Sequence, residues 1–171
     1  MLCAIAVLTG RARWRYRLRM IRNPSKGPLV DPLEGLLGYQ LRRASVAAMA
    51  DLSSVLAEID LRPADMSVLL VVEANRGVTQ SEVGRCLGIK RANMAPIVAS
   101  LEERAFVKRV PVDGRSQALR LTRAGARAVV QSRKIIAAHE SRLTLGMDEA
   151  TRQAFMRFLA EARQRFSNET S

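Results

Sequence analysis

Between Thr79 and Leu121 short structure-forming runs alternate with structure-breaking residues so closely that few folds can accommodate them. Thr79-Gln80-Ser81-Glu82 is a capping box, in which the threonine hydroxyl accepts from the backbone N–H of Glu82 while the glutamate reaches back. The helix it starts is short, because Leu87-Gly88-Ile89 stops it. A further helix is expected from about Arg91 to Arg104. Val107 to Val112 and Gln117 to Leu121 are then β-branched or alternating runs around Asp113-Gly114, the pattern of a hairpin turn. None of these pieces can bury a core alone, so they must pack on one another and on their neighbours.

Those neighbours read as helices. Arg62-Pro63 opens one, with proline in the first turn where its missing N–H does no harm; Met66, Leu69, Leu70 and Val72 form its buried side, and Asn75-Arg76-Gly77 ends it. Upstream, Leu37, Leu41, Ala44, Ala48, Leu52, Val55 and Ile59 recur at spacings of three and four, one stripe of a long helix. Downstream, Leu121-Thr122 caps a helix through roughly Leu143, and Asp148 starts a last one with Phe155, Phe158, Leu159 and Phe166 on one face. Apolar residues make up 48% of the 171 positions but aromatics only 4%, which favours a mainly α chain over a β-sandwich.

The net charge of +12 points to a polyanionic partner. Residues 1–30 hold seven Lys and Arg and no acid, and residues 76–127 hold eleven against four acids. The central block is therefore the place to look for a phosphate-binding surface. Residues 1–30 read as an appended basic arm, expected either to be disordered or to reflect a start assigned upstream of Met20, and Asn23 to Pro32 reads as a linker. The longest apolar run, Met1 to Leu8, is too short for a membrane span, and the arginines follow it, the reverse of a secretory signal. Cys3 and Cys86 form no disulfide or zinc pattern, so a reduced, cytoplasmic setting fits, with Cys86 expected as a small buried residue on a core-facing helix.

In the helix from Arg91, Met94, Ile97, Val98 and Leu101 fall within about 100° of one another and face the core. Ala92, Pro96 and Ala99 lie opposite, with Ala95 and Ser100 beside them. Such a small outward face lets the backbone approach a groove floor, where alanine can touch a thymine methyl. Lys90, Arg91 and Asn93 stand at its N-terminal end, where Lys or Arg can pair with guanine and Asn with adenine. Pro96 cannot donate to the carbonyl of Ala92, so the helix either begins late, near Ala92, or kinks.

Two short helices followed by a basic hairpin form the plan of a winged helix-turn-helix, in which the second helix enters the major groove. Here the sequence resembles the MarR family. The resemblance covers about residues 33–165 and rests on Thr79–Glu82 through Leu87-Gly88-Ile89, Leu101–Arg104 before Phe106-Val107, the wing Asp113–Ser116, and Leu119-x-Leu121-Thr122-x-x-Gly125. In two places the sequence departs from the family pattern. Gly114 stands where the wing has its first basic residue, and Ala105 stands where a glycine precedes Phe106, which puts a left-handed C-cap there in doubt.

The resemblance implies an α+β architecture: an α-helical dimerisation layer (about 33–60 and 123–166) around a winged helix-turn-helix lobe (about 62–122). It implies a homodimeric transcriptional repressor on an inverted-repeat operator in double-stranded DNA, released by a small lipophilic or aromatic effector. Arg115 at the wing tip would enter the minor groove, with Asp113 orienting the wing. Lys108, Arg109, Arg120 and Arg123 would meet phosphates, and Thr79 and Gln80 would stand at the DNA face. Family pockets place Tyr39, Arg42, Arg43, Met66 and Leu70 near an effector. Leu36–Arg43, Arg62-Pro63-Ala64 and Ile89–Asn93 resemble a branch associated with aromatic acid catabolism. The alternative is a non-specific, nucleoid-type protein that binds mainly through its arm. With one histidine, no glycine-rich phosphate loop and no clustered carboxylates, no catalytic residue, cofactor or metal site is expected.

Overall fold

The computed structural model describes residues 21–23, 27–113 and 116–168. Its elements are β1 (Ile21–Asn23), β2 (Gly27–Leu29), α1 (Leu37–Ala57), α2 (Pro63–Ala74), α3 (Gln80–Leu87), α4 (Arg91–Glu103), β3 (Val107–Asp113), β4 (Ser116–Leu121), α5 (Arg123–Leu143) and α6 (Glu149–Asn168). Contacts divide the chain into two units, one up to Ser45 and one from Val46 onward.

In the first unit, the stretch read as a linker carries a short ladder instead: Ile21 pairs with Leu29 and Asn23 with Gly27, antiparallel. Proline is compatible with this, because in a two-stranded ladder Pro28 can turn its missing N–H outward. Residues 1–20 of the expected arm lie outside the described residues. Tyr39 donates its hydroxyl to Asp31 Oδ2 at 3.2 Å, and Arg43 pairs with the same carboxylate at 3.6 Å.

In the second unit the core gathers Leu56, Val68, Leu69, Val83, Val98, Leu101, Leu119 and Val129, all fully shielded from solvent. To it α2 contributes Met66, Val68, Leu69 and Val72, with Val68 in place of the expected Leu70, which is half-buried, and α4 contributes Met94, Val98 and Leu101. His139 on α5 is buried, its Nδ1 2.8 Å from Asp51 Oδ2 on α1, and Arg142 donates to the same oxygen at 2.5 Å. Arg142 first and His139 second hold the Asp51 carboxyl below its usual range. No described residue of α6 is buried, and Phe155 and Met156 are exposed, as are Val46 and Met49 on α1. Among the described residues no helix is long and apolar enough to cross a membrane.

Two junctions fix the wing. Leu119 donates its N–H to Val78 O at 2.8 Å, and Ala118 bridges Thr79, so the wing's inner strand is fastened to the α2–α3 connection. At the other end, Thr122 caps α5 by accepting from Gly125 N–H at 3.1 Å, and its own N–H donates to Phe106 O at 3.0 Å. A Cβ at Gly125 would stand 2.0 Å from the Phe106 carbonyl oxygen, which is why this motif requires glycine there.

The left-handed cap questioned from the sequence is present. Ala105 has a φ of 53°, and the Phe106 N–H donates to Leu101 O at 2.8 Å, closing the end of α4. Packing of Phe106 and the Thr122 contacts hold the turn in place of a favourable residue. Ala105→Gly should therefore raise stability by about 0.5–1 kcal/mol, since the side-chain strain removed exceeds the entropy glycine adds to the unfolded chain. Thermal melting of the two proteins should show a rise of roughly 1–4 °C.

Candidate nucleic-acid interface

The helix-turn-helix is built as its capping residues dictate. Thr79 N–H and hydroxyl both donate to Glu82 Oε2 at 2.8 Å, and Glu82 N–H donates to Thr79 Oγ1 at 3.3 Å. Gly88 adopts the left-handed conformation with a φ of 65°, and Ile89 N–H reaches back to Gly84 O at 2.9 Å. These two ends limit α3 to eight residues and aim the chain into α4.

α4 begins at Arg91, one residue before Ala92, and continues through Pro96. Met94, Val98 and Leu101 are buried and Ile97 is half-buried, whereas Ala92, Ala95, Pro96 and Ala99 are all exposed. The angular reading therefore places the small face outward. Lys90, Arg91 and Asn93 are exposed at its N-terminal end, where the helix dipole adds positive potential.

Beside α4 stands the wing. Its strands pair Lys108 with Arg120 and Arg109 with Leu119, and all three basic side chains are exposed at the surface. A polar cleft of about 400 Å³ separates wing from helices, lined by Thr79, Gln80, Ser81, Arg91, Arg109, Ser116 and Gln117. Of Asp113 only the backbone is described, pairing with Ser116 past a bulge at Val112; Gly114 and Arg115 lie outside the described residues.

Arg109 differs from the other wing cations. Its Nε donates to Glu102 Oε2 at 2.9 Å and its Nη2 to Gln80 Oε1 at 3.0 Å. The sequence reading missed both partners: they lie 7 and 29 residues away, and no local periodicity connects them. Ser116 and Gln117 in the cleft were missed as well. Cys86 requires a correction, because it is exposed, not buried. The buried arc of α3 is Val83 and Gly84 with Leu87 half-buried, and Cys86 sits roughly 110° round the helix from its midpoint.

Of the residues expected near an effector, Tyr39, Arg42 and Arg43 belong to the first unit and Met66 and Leu70 to the second. Arg42 and Arg43 lie over the Tyr39 ring at 5.8 and 5.6 Å from its centroid. Met66 is buried in the core on α2, and Leu70 packs half-buried against that core.

The profile of the MarR family matches residues 59–116, the helix-turn-helix and most of the wing. A solved transcriptional repressor, CouR, bound to a 23-mer DNA duplex, is 37% identical with a TM-score of 0.71 over 77% of this chain and 94% of that one. The chain belongs to the MarR family. CouR bound to p-coumaroyl-CoA matches at 35% identity and a TM-score of 0.70 over the same shares. A protein of Thauera aromatica named for transcriptional regulation of the hcr operon is 24% identical over 70% of this chain and 74% of its own length. These relatives are transcriptional regulators, and the mainly helical fold with its two-stranded wing is that of the solved CouR structures. As a MarR-family member, this chain is a DNA-binding transcriptional regulator.

The capping box also leaves a signature in acid. Thr79 N–H, and after it the Thr79 hydroxyl, hold the Glu82 carboxyl below its usual value. A depressed carboxylate contributes stability that is present above its unfolded value and is lost as pH falls through the folded one. Glu82→Gln should accordingly melt below the wild type at neutral pH, and the gap should close as the solution is acidified past the ordinary glutamate range. Melting temperature measured against pH for both proteins checks this.

Proposed function

We propose that this chain is a cytoplasmic homodimeric repressor that binds an inverted-repeat operator and is released by the coenzyme A thioester of an aromatic acid. The single observation that carries the DNA-binding part is the exposed row Ala92, Ala95, Pro96 and Ala99, headed by Lys90, Arg91 and Asn93. A solvated helix face carries long charged side chains, whereas this one is bare enough to enter a major groove and basic only where it would meet backbone and base edges. Lys108 and Arg120 serve as phosphate contacts, and Arg115 as the minor-groove reader. Thr79 and Gln80 present the start of α3 to the DNA backbone. No residue is assigned a catalytic role.

The effector class rests on likeness: CouR, more than a third identical, was solved with an aromatic acyl-CoA. On this chain Tyr39, with the guanidiniums of Arg42 and Arg43 over its ring, is the cluster we assign to the ligand's anionic part. Leu70 is kept as an apolar contact; for buried Met66, core packing is a sufficient explanation. Residues 1–30, with seven basic residues, add attraction to any duplex without reading sequence.

The test is titration against a duplex selected by the protein from random DNA and against its scrambled counterpart, at fixed salt. Asn93→Ala should cost about 1–3 kcal/mol on the selected duplex and little on the scrambled one. Ala99→Glu should lose more, while Arg115→Ala should weaken binding mainly at A·T-rich flanks. Adding p-coumaroyl-CoA should release the selected duplex. Equal affinity of the wild type for both duplexes would mean non-specific binding instead, and wild-type affinity in Ala99→Glu would take α4 out of the groove.

Light scattering should give a mass twice the 18.9 kDa of one chain. Replacing Phe155 and Met156 by glutamate should shift that mass toward the monomer and lower operator affinity with it.

A further inference from the structure

We propose that Arg109 is a positioning residue for operator recognition, fixing the wing against the helix-turn-helix through Glu102 and Gln80 and not by neutralising a phosphate. The inference rests on the DNA-binding reading above. Arg109 stands on β3, opposite Leu119. Its guanidinium gives Nε to Glu102, in the last turn of α4, and Nη2 to Gln80, the first residue of α3. One planar group thus joins all three parts of the DNA-facing lobe.

Three observations separate this role from a phosphate contact. First, although Arg109 lies at the surface, its guanidinium is held by two acceptors on two different helices at once, which orients it as a single solvated ion pair does not. Second, Glu102 cancels the charge of Arg109, so the pair adds no net attraction for DNA, while Lys108 and Arg120 remain exposed on the same strands. Third, the backbone anchor at Val78 and Leu119 holds only β4. The second junction, Thr122 to Phe106, holds only the base of β3, so among the described residues Arg109 supplies the side-chain bonds that tie the middle of β3 to α3 and α4.

The charge of Glu102 makes the test sharp. Removing an acid from a DNA-facing surface ordinarily tightens binding, because a repulsion is lost. Here the opposite is expected. Full-length wild type, Arg109→Ala, Arg109→Lys, Glu102→Ala and the double alanine variant are titrated against the selected and scrambled duplexes at several salt concentrations. Each single change should weaken the selected duplex about tenfold, with no further loss in the double variant, the non-additivity of residues acting as one unit. Lysine should fail like alanine, since an ammonium does not reproduce a planar fork to two acceptors. Binding to the scrambled duplex should tighten in Glu102→Ala, fall slightly in Arg109→Ala and hold in the double variant, and circular dichroism checks that all are folded. The salt slope should stay at its wild-type value.

The proposal is overturned if Glu102→Ala binds the selected duplex as tightly as the wild type or more so. It is equally overturned if Arg109→Lys keeps full affinity while Arg109→Ala flattens the salt slope by about 0.9, the signature of one lost phosphate contact. Should Glu102→Ala melt early, Glu102→Gln keeps the shape and one acceptor; about a threefold loss is expected from it, and no loss overturns the proposal. A wild type with no preference between the duplexes defeats the regulator reading itself, and that shows before any variant is compared.

Discussion

A buried carboxylate determines how the helices of this lobe meet. Asp65, 5% exposed near the start of α2, accepts from Arg62 N–H at 3.1 Å and from Arg104 Nη1 at 3.2 Å. Arg104, just past the end of α4, also pairs with Asp60 and lies over the Phe106 ring at 4.8 Å. The start of α2, the α1–α2 turn and the exit of α4 therefore share one charge cluster. Removing a partner from such a cluster leaves an uncompensated charge out of water, which makes it far more sensitive than an exposed ion pair. Its consequence reaches the DNA face: with its C-terminal end pinned, α4 has a fixed axis, and the wing that follows starts from a fixed point.

The same logic explains how strain is tolerated at Ala105. A left-handed alanine costs free energy that glycine would not, yet Arg104 on one side and Phe106 on the other are both held by long-range contacts. The turn is fixed by its flanks. Pro96 is accommodated similarly: it deprives Ala92 O of a helical donor, but Ala92 lies on the exposed face, where water or a ligand can satisfy the carbonyl.

Legibility of the sequence followed the range of the interactions. The capping box at Thr79, the glycine stop at Gly88 and the buried face of α4 are local patterns and emerge where expected, whereas on α2 Val68 is buried and Leu70 only half-buried. The linker assigned to Asn23–Pro32 failed because composition marks punctuation but is silent on pairing between strands only three residues apart. Cys86 failed because a short helix has a narrow buried arc, and one residue of rotation separates core from solvent. Arg109 was legible as a cation but not as a bridge, since its partners lie on other elements and only the packed lobe brings them within reach.

On the proposed reading, one helix with three polar readers and a small face cannot select an operator alone. Each good base contact supplies about 1–3 kcal/mol, whereas selectivity of the order regulators show needs about 4–10 kcal/mol over non-specific DNA. Repeating the contacts across a twofold axis doubles the reading without new residues, and turns the separation of the two helices into a measure of half-site spacing. The bare apolar faces of α6 and of α1 after Val46 are consistent with such a partner, being apolar where a solitary chain has no reason to be. Sequence selectivity is then a property of the pair. Any ligand that changes the distance between the two α4 helices acts on every base contact at once, without touching one of them.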